Sequence, residues 1–137
     1  EAANEFGSQC IVISLDCKRE GDSWKLYVKG GRERTEVDAV SFAKKMEQYG
    51  AGELLVNSLD RDGRKTGYDT ELLREISNAV NVPVIASSGA GCMKDFLEAF
   101  VQGKADAALA ASLFHYDDMG ISKLKQYLNN NNVTVRI

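Results

Sequence analysis

The chain has 137 residues, the length of one compact domain, and its hydrophobic and charged fractions of 44% and 27% are ordinary. A formal net charge of -3 shows no basic excess, which argues against a nucleic-acid-binding protein. No apolar run approaches the roughly 20 residues of a membrane span, and the polar amino-terminal residues form no secretory signal, so we expect a cytoplasmic protein without a membrane partner.

The first predicted elements are a helix end and a buried strand. Residues 1–6 have helical character and Gly7 ends them; because no Met precedes them, we expect the chain to be part of a longer protein. Residues 9–16 are almost continuously apolar, which is typical of a parallel strand buried on both faces, and the run ends on Asp16. Residues 17–34 are long for a strand–helix connection and are predicted to contain a short hairpin.

The remaining sequence alternates predicted helices and strands. Strands are predicted at 53–58, 83–87 and 106–111, and helices at 38–49, from about 70, at 93–102, at 112–115 and at 121–128. Asp69 is a suitable N-cap for the helix that begins near residue 70. With the first strand, the pattern gives four strand–helix units.

Four such units imply a βα barrel or an open α/β sheet. Of these two α/β folds we predict half of a (βα)8 TIM-type barrel with parallel strands. We expect residues 1–137 to form it as a single (βα)4 domain, with the first half of the barrel absent, because a complete barrel takes about 250 residues and eight units. A half-barrel leaves unpaired edge strands and an exposed apolar inner face. We therefore expect it to pair with its other half or with a second copy of itself.

The segment at residues 59–69 follows the second strand and is called the rim loop below. It lies at the carboxyl end of the predicted sheet, where ligands bind in such folds. It contains Asp60, Asp62 and Asp69 together with three cations and two glycines. Asp60 and Asp62 are candidates for acid–base chemistry, but in such a turn they also bond to backbone N–H groups or to Arg61.

An anion site is predicted after the third and fourth strands. The segment Ser88-Gly89-Ala90-Gly91 lets backbone N–H groups approach an oxyanion, and the helix that follows adds the positive end of its dipole. Ser112 has the equivalent position after the fourth strand, and these two loops form the usual phosphate site of such barrels. The alternative is that the glycines only permit a turn and close packing.

Asp16 is the best candidate for general acid–base catalysis, because it ends an apolar strand at the mouth of the sheet. No second carboxylate is evident in the same layer. Lys18, Arg19 and Arg32 are candidates for attracting an anionic substrate, the alternative being an ordinary solvated surface.

The cysteines and the histidine predict no metal site. Cys10, Cys17 and Cys92 lack a CxxC spacing, and His115 is the single histidine, which we expect to pack or to lie on the surface. Reduced thiols are therefore expected, and neither a metal nor a cofactor is.

Five motifs extend over the whole chain. They are Phe6-Gly7-Ser8-Gln9 with the strand that leads to Asp16-Cys17-Lys18-Arg19, then Gly50-Ala51-Gly52-Glu53, then Asp60-Arg61-Asp62-Gly63 with Gly67-Tyr68-Asp69, then Ser87-Ser88-Gly89-Ala90-Gly91, and finally Ala110-Ala111-Ser112-Leu113-Phe114-His115. In order and spacing they resemble the carboxyl-terminal half, strands five to eight, of the cyclase subunit of imidazole glycerol phosphate synthase, a barrel enzyme of histidine biosynthesis.

The resemblance implies a lyase that uses ammonia from a partner glutaminase. The substrate is phosphoribulosyl-formimino aminoimidazole carboxamide ribotide, and the products are imidazole glycerol phosphate and aminoimidazole carboxamide ribotide. By resemblance, Asp16 is one of two catalytic aspartates. The other lies on the first strand of the family barrel, which this chain lacks, so the chain alone is expected to be inactive.

The resemblance also implies binding roles at the strand ends. Glu53 matches one member of a charged ring that gates ammonia at the opposite, amino-terminal face. Ser88 departs from the family, which usually has Gly there, and adds a hydroxyl donor. Positions that bind a substrate phosphate or its sugar, or that line the same pocket, are Asn57, Asp62, Gly63, Ser87, Gly89, Ala90, Gly91 and Ser112.

Three alternatives remain open. An isomerase of the same pathway is less similar at Gly67-Tyr68-Asp69, where Gly-Pro-Asn is expected. A cyclase-like subunit that delivers ammonia in a bacterial amidino-sugar pathway is less similar at Ser112-Leu113-Phe114-His115. The third alternative, of another class, is an isolated or engineered half-barrel that binds phosphate and self-associates without catalysis.

Overall fold

A computed structural model describes residues 1–116 and 119–136. In chain order the elements are α1 (Ala2–Phe6), a 3₁₀ turn (Ser8–Cys10), β1 (Val12–Glu20), β2 (Ser23–Val28), β3 (Glu33–Asp38), α2 (Ala39–Gln48), β4 (Glu53–Ser58), α3 (Thr70–Ser77), β5 (Val84–Ser87), α4 (Met93–Val101), β6 (Ala107–Ala108), α5 (Ser112–Tyr116) and α6 (Ile121–Asn130).

The strands form one sheet in the order β3-β2-β1-β4-β5-β6. The neighbours β1, β4, β5 and β6 are parallel, whereas β1–β2 and β2–β3 are antiparallel hairpins. Four parallel strands connected through helices confirm the predicted half of a (βα)8 barrel. The two antiparallel strands make the sheet mixed.

The predicted loop at residues 17–34 is the main difference from expectation. The first strand does not end at Asp16 but continues to Glu20, because its second half pairs with β2 in the register Asp16–Tyr27 to Glu20–Ser23. The prediction of a hairpin within this segment is confirmed, but treating the segment as a loop was wrong. The strand also begins later than predicted, because Ser8–Cys10 form the 3₁₀ turn.

The two faces of the sheet differ in burial. One face is covered by α2, α3 and α4, and its side chains, among them Leu15, Leu54 and Val84, are almost fully buried. On the other face, Val12 and Leu109 are 50% and 46% exposed. This second face, called the open face below, corresponds to the interior of a complete barrel, where side chains of all strands pack together.

Side-chain caps fix two of the helix starts. The Asp38 carboxylate accepts the Ser41 N–H at 2.8 Å, and the Asp69 carboxylate accepts the Leu72 N–H at 3.1 Å, as predicted for Asp69. The predicted strand at 106–111 is reduced to Ala107–Ala108. In the part of the chain that the structure describes, none of the helices is both long and apolar enough to span a bilayer.

Candidate functional site

Three polar side chains lie in one row across the parallel strands. The sheet register aligns Asp16 of β1 with Asn57 of β4, and Asn57 with Ser87 of β5. Because neighbouring strands are about 4.8 Å apart, the row is about 10 Å long. The alternation of side chains puts all three on the open face. Asn57 and Ser87 lie at the carboxyl ends of β4 and β5, and Asp16 lies level with them in the middle of the longer β1. The structure thus brings together three of the predicted site residues.

The Asp16 carboxylate is half-buried and hydrogen-bonded. The Asn57 side-chain amide donates to Asp16 Oδ1 at 3.0 Å and to Ser14 Oγ at 3.0 Å. Asn57 therefore holds the carboxylate in place on the open face. Ser14 also belongs to this hydrogen-bonded group, and it was not predicted because it precedes Asp16 within an apolar strand.

A pocket of about 280 Å³ adjoins this row at the ends of β5 and β6. Its volume is slightly below that of a typical small-molecule site, roughly 300–1,000 Å³, and suits one substituent such as a phosphate group. The predicted residues Asn57 and Gly91 do not line it, and Lys65 is a lining residue that was not predicted. The lining residues are Asp62, Gly63, Lys65, Ser87, Ser88, Gly89, Ala90, Leu109, Ala110, Ala111 and Ser112.

The glycines after β5 allow the rim loop to pack closely. The Gly67 N–H donates to the Gly89 carbonyl at 2.8 Å. A Cβ atom at Gly89 would overlap the Gly67 carbonyl oxygen, and one at Gly91 would overlap the Lys65 carbonyl oxygen. Close packing therefore accounts for both glycines, and their presence is not by itself evidence of anion binding.

The backbone N–H groups of this segment divide into two sets. Those of Gly91 and Cys92 donate to Asp95 Oδ2 at 2.7 and 2.9 Å. Those of Ser88, Gly89 and Ala90 have no acceptor among residues 1–116 and 119–136. Buried N–H groups are almost always paired, so donors of this kind beside a pocket are suited to an anion.

Ser88 and Asp62 meet at the edge of the pocket. Ser88 has a φ of 75°, a left-handed conformation that is costly for a residue with a side chain. Its hydroxyl lies 3.4 Å from Asp62 Oδ1, to which it donates. Asp62 thus faces the pocket, whereas Asp60 turns away and accepts the Arg19 backbone N–H at 2.7 Å. The structural role considered for Asp60 is confirmed.

The cations next to Asp16 are engaged within the chain. Arg19 forms an ion pair with Glu71, and its guanidinium lies 5.0 Å from the centre of the Trp24 ring. The Lys18 ammonium lies 5.7 Å from the centre of the Tyr27 ring. These contacts favour an ordinary surface role over the attraction of substrate.

A buried cluster around Asp69 connects the hairpin to the rim loop. Asp69 Oδ2 accepts the Trp24 indole N–H at 3.2 Å and the Ser58 hydroxyl at 3.4 Å, while Oδ1 caps α3. We call Trp24, Ser58 and Asp69 the Asp69 cluster. The sequence indicated the cap, but the two other bonds join residues 45 and 11 positions away from Asp69.

Glu53 lies at the other end of the same face. It begins β4, is half-buried, and alternation puts it on the side of the sheet that carries Asn57. Glu53 and Asn57 are four residues apart along the strand, a distance of about 13 Å. Glu53 is therefore far from Asp16 and the pocket, at the amino-terminal end where the sequence placed it.

The three cysteines and the histidine differ in burial. Cys17 is fully buried; this burial, with the charges of Asp16 and Asp69, raises the pKa of its thiol to about 12. Cys10, Cys92 and His115 are exposed. Within 1–116 and 119–136, no group of three or more His, Cys, Asp or Glu side chains is arranged to hold a metal ion.

Comparison with known proteins agrees with this arrangement. The profile of the family described as "Histidine biosynthesis protein" matches residues 1–120. The chain belongs to this family. A protein named imidazole glycerol phosphate synthase subunit HisF, from Alkaliphilus metalliredigens (strain QYMF), is 53% identical over 137 residues, which are 99% of this chain and 54% of that protein. The protein of the same name from Dehalococcoides mccartyi (strain ATCC BAA-2100 / JCM 16839 / KCTC 5957 / BAV1) is 52% identical over 135 residues, 98% of this chain and 53% of that protein.

The similarity to this subunit confirms the resemblance seen in the motifs. The chain spans about half the length of the curated relatives it matches. That proportion agrees with four of the eight strands of a barrel.

Proposed function

We propose that this chain is the carboxyl-terminal half, strands five to eight, of a cyclase subunit of imidazole glycerol phosphate synthase. The reaction combines ammonia with phosphoribulosyl-formimino aminoimidazole carboxamide ribotide. It yields imidazole glycerol phosphate and aminoimidazole carboxamide ribotide, and closure of the imidazole ring releases one water molecule. The names of the two relatives support the subunit, and their lengths support a barrel of which these residues form one half.

The observation that carries this proposal is the row of Asp16, Asn57 and Ser87 beside the pocket at the ends of β5 and β6. A substrate phosphate in the pocket places the attached sugar along this row, within reach of Asp16. The Asp16 carboxylate then accepts or donates a proton as nitrogen attacks and the amine leaves. Its bond from Asn57 fixes the direction of the carboxylate, and such positioning lowers the barrier of a proton transfer.

The phosphate is held by the backbone N–H groups of Ser88, Gly89 and Ala90 and by Ser112. These donors are free of other acceptors in the described chain, and Ser112 lines the same pocket from the opposite loop. Asp62 and Gly63 contact the sugar side of the phosphate, because an ionised carboxylate accepts hydrogen bonds from hydroxyl groups and repels a phosphate.

Ammonia arrives from a glutaminase that docks at the amino-terminal face. The word "subunit" in the names of the relatives supports a partner chain, and Glu53 at the amino end of β4 supports a charged entrance on that side. The open face between Glu53 and Asn57 then becomes part of the barrel interior through which ammonia passes.

The chain alone is proposed to bind phosphate without turnover. An acid–base reaction of this kind needs two proton-transfer groups, and Asp16 supplies one of them. The second aspartate belongs to the amino-terminal half. The alternative of a phosphate-binding half-barrel makes the same prediction for the chain alone. It differs only in that the chain then has no amino-terminal half to join.

Complementation tests the proposal. The chain is combined with the amino-terminal half of the Alkaliphilus relative, and ammonia-dependent release of imidazole glycerol phosphate is measured. We expect turnover that Asp16→Asn abolishes while substrate still binds. Asp22→Asn, a neutralised carboxylate in the exposed β1–β2 turn, is the matched control and should retain turnover. Unchanged turnover with Asp16→Asn would refute the catalytic role.

A further inference from the structure

Three consecutive buried residues connect the rim loop to the other strand ends. Gly67, Tyr68 and Asp69 are all buried. The first donates to the segment after β5 and the third belongs to the Asp69 cluster. Tyr68 makes the remaining connection, because its hydroxyl donates to the Leu109 carbonyl at 2.9 Å. Leu109 lines the pocket, and Tyr68 does not.

The Tyr68 side chain is buried and packs against another aromatic ring. It is 4% exposed, and its ring packs edge-on against Phe96 with centroids 5.6 Å apart. Burial, together with the negative charge of Asp95, raises the pKa of its hydroxyl well above the ordinary value. The hydroxyl therefore stays protonated and acts as a donor to Leu109.

Leu109 lies where the chain leaves the sheet. Its N–H donates to the Ala86 carbonyl at 2.8 Å, which is the last ladder bond of a strand with only two regular residues, Ala107 and Ala108. After this bond the ladder no longer determines the direction of the backbone. The Tyr68 hydroxyl provides the next restraint, on the Leu109 carbonyl.

Fixing one carbonyl also fixes the N–H that follows it. The peptide bond between Leu109 and Ala110 is planar and trans, so the Ala110 N–H points opposite to the Leu109 carbonyl. Since that carbonyl points toward Tyr68, the Ala110 N–H points away from Tyr68. Ala110 itself lines the pocket, and its N–H has no acceptor among the described residues.

We propose that Tyr68 is a positioning residue for the anion pocket: through the Leu109 carbonyl it aims the Ala110 N–H at the bound phosphate. This rests on the proposed phosphate site and adds to it a donor from the β6 side. Tyr68 touches no ligand, and its contribution is the preorganisation of a backbone donor.

Binding of inorganic phosphate to the chain, measured by calorimetry and by backbone amide NMR, tests this proposal. Tyr68→Phe removes one oxygen and keeps the ring on Phe96. We expect the phosphate Kd to rise about threefold to tenfold, which corresponds to the net value of one hydrogen bond. Thr35→Val is the matched control, because the Thr35 hydroxyl donates to the Leu26 carbonyl at 2.7 Å within the hairpin. It should lower stability similarly and leave the Kd unchanged.

The outcomes separate the two proposals. If phosphate fails to bind the unaltered chain at the pocket, the proposed function fails first. If phosphate binds there with the same Kd in the unaltered chain and in Tyr68→Phe, the role of Tyr68 is refuted. The unaltered chain gives a test that needs no variant: on titration with phosphate the Ala110 amide resonance must shift, and an Ala110 amide that does not move overturns the proposal.

Discussion

Replacement of Asp69 by alanine should destabilise the chain far more than loss of an ordinary helix cap. Asp69 is buried and caps α3, and it also accepts the Trp24 indole N–H and the Ser58 hydroxyl. Trp24 and Ser58 are themselves buried, at 5% and 2% exposure, so water cannot replace the lost acceptor without opening the core.

The magnitude follows from these contacts. Loss of the cap costs about 1 kcal/mol. A buried indole N–H without an acceptor costs roughly a further 1–3 kcal/mol, while the Ser58 bond is long, at 3.4 Å, and its loss adds little. Asp69→Ala should therefore lower the free energy of unfolding by about 3 kcal/mol, a large share of the total for a domain of this size.

Asp38→Ala provides the matched control. Asp38 caps α2 through the Ser41 N–H in the same way, but in the described chain its carboxylate accepts no second bond. Its replacement should cost about 1 kcal/mol. The difference between the two variants, about 2 kcal/mol, then measures the connection between Asp69 and the hairpin.

Urea unfolding followed by circular dichroism and by fluorescence is the assay. Trp24 is the single tryptophan of the chain, so its emission reports directly on the Asp69 cluster. We expect the native emission spectrum to change in Asp69→Ala and to stay the same in Asp38→Ala. If both variants lose the same free energy and both keep the native emission spectrum, the indole–carboxylate bond contributes nothing and the reasoning is wrong.

Three further predictions concern the thiol, the rim loop and the open face. Because the pKa of Cys17 rises from 9.0 to about 12 on folding, the contribution of Cys17 to stability should be constant below pH 9 and fall between pH 9 and 12. Urea unfolding at several pH values should therefore show a shallower fall of stability above pH 9 in Cys17→Ala, and equal slopes would contradict this. Gly91→Ala places a Cβ against the Lys65 carbonyl and should cost about 1–3 kcal/mol by thermal unfolding; an unchanged melting temperature would show that the rim loop gives way without cost. The chain should self-associate through its open face in light scattering, and Val12→Lys should reduce this association more than Val101→Lys on the outer face of α4, because Val12 is an exposed apolar side chain on the uncovered face of the sheet. A monodisperse monomer at high concentration would count against the prediction.

Several site residues could be predicted from the sequence, but their arrangement could not. Asp16, Ser87 and Ser112 could be predicted because each follows an apolar run, and the end of a buried strand is where polar side chains gather in such folds. The common row of Asp16, Asn57 and Ser87 could not, because register depends on how strands pair and not on any one of them. The role of Tyr68 likewise depends on which carbonyl its hydroxyl meets, 41 residues further along the chain.

The hairpin shows most clearly how tertiary contacts determine local structure against the local sequence pattern. By itself, the segment from Asp16 to Glu20 is charged at every position except Cys17 and lacks the continuous apolar run of a buried parallel strand. It becomes strand because β2 folds back and supplies a backbone partner for every residue of it. Contacts of this kind decide β structure more strongly than local propensity does.

The sequence by itself determined the four strand–helix units, the Asp69 cap that starts α3, and the motifs that resemble one family, because local periodicity, capping chemistry and motif spacing are properties of adjacent residues. Only the tertiary structure decided that the supposed loop is sheet, that the glycines accommodate the rim loop, and that Asp16 is held by Asn57. Each of these is a contact between segments distant in the chain, whose partners are fixed by strand register and packing and are not written in either segment alone.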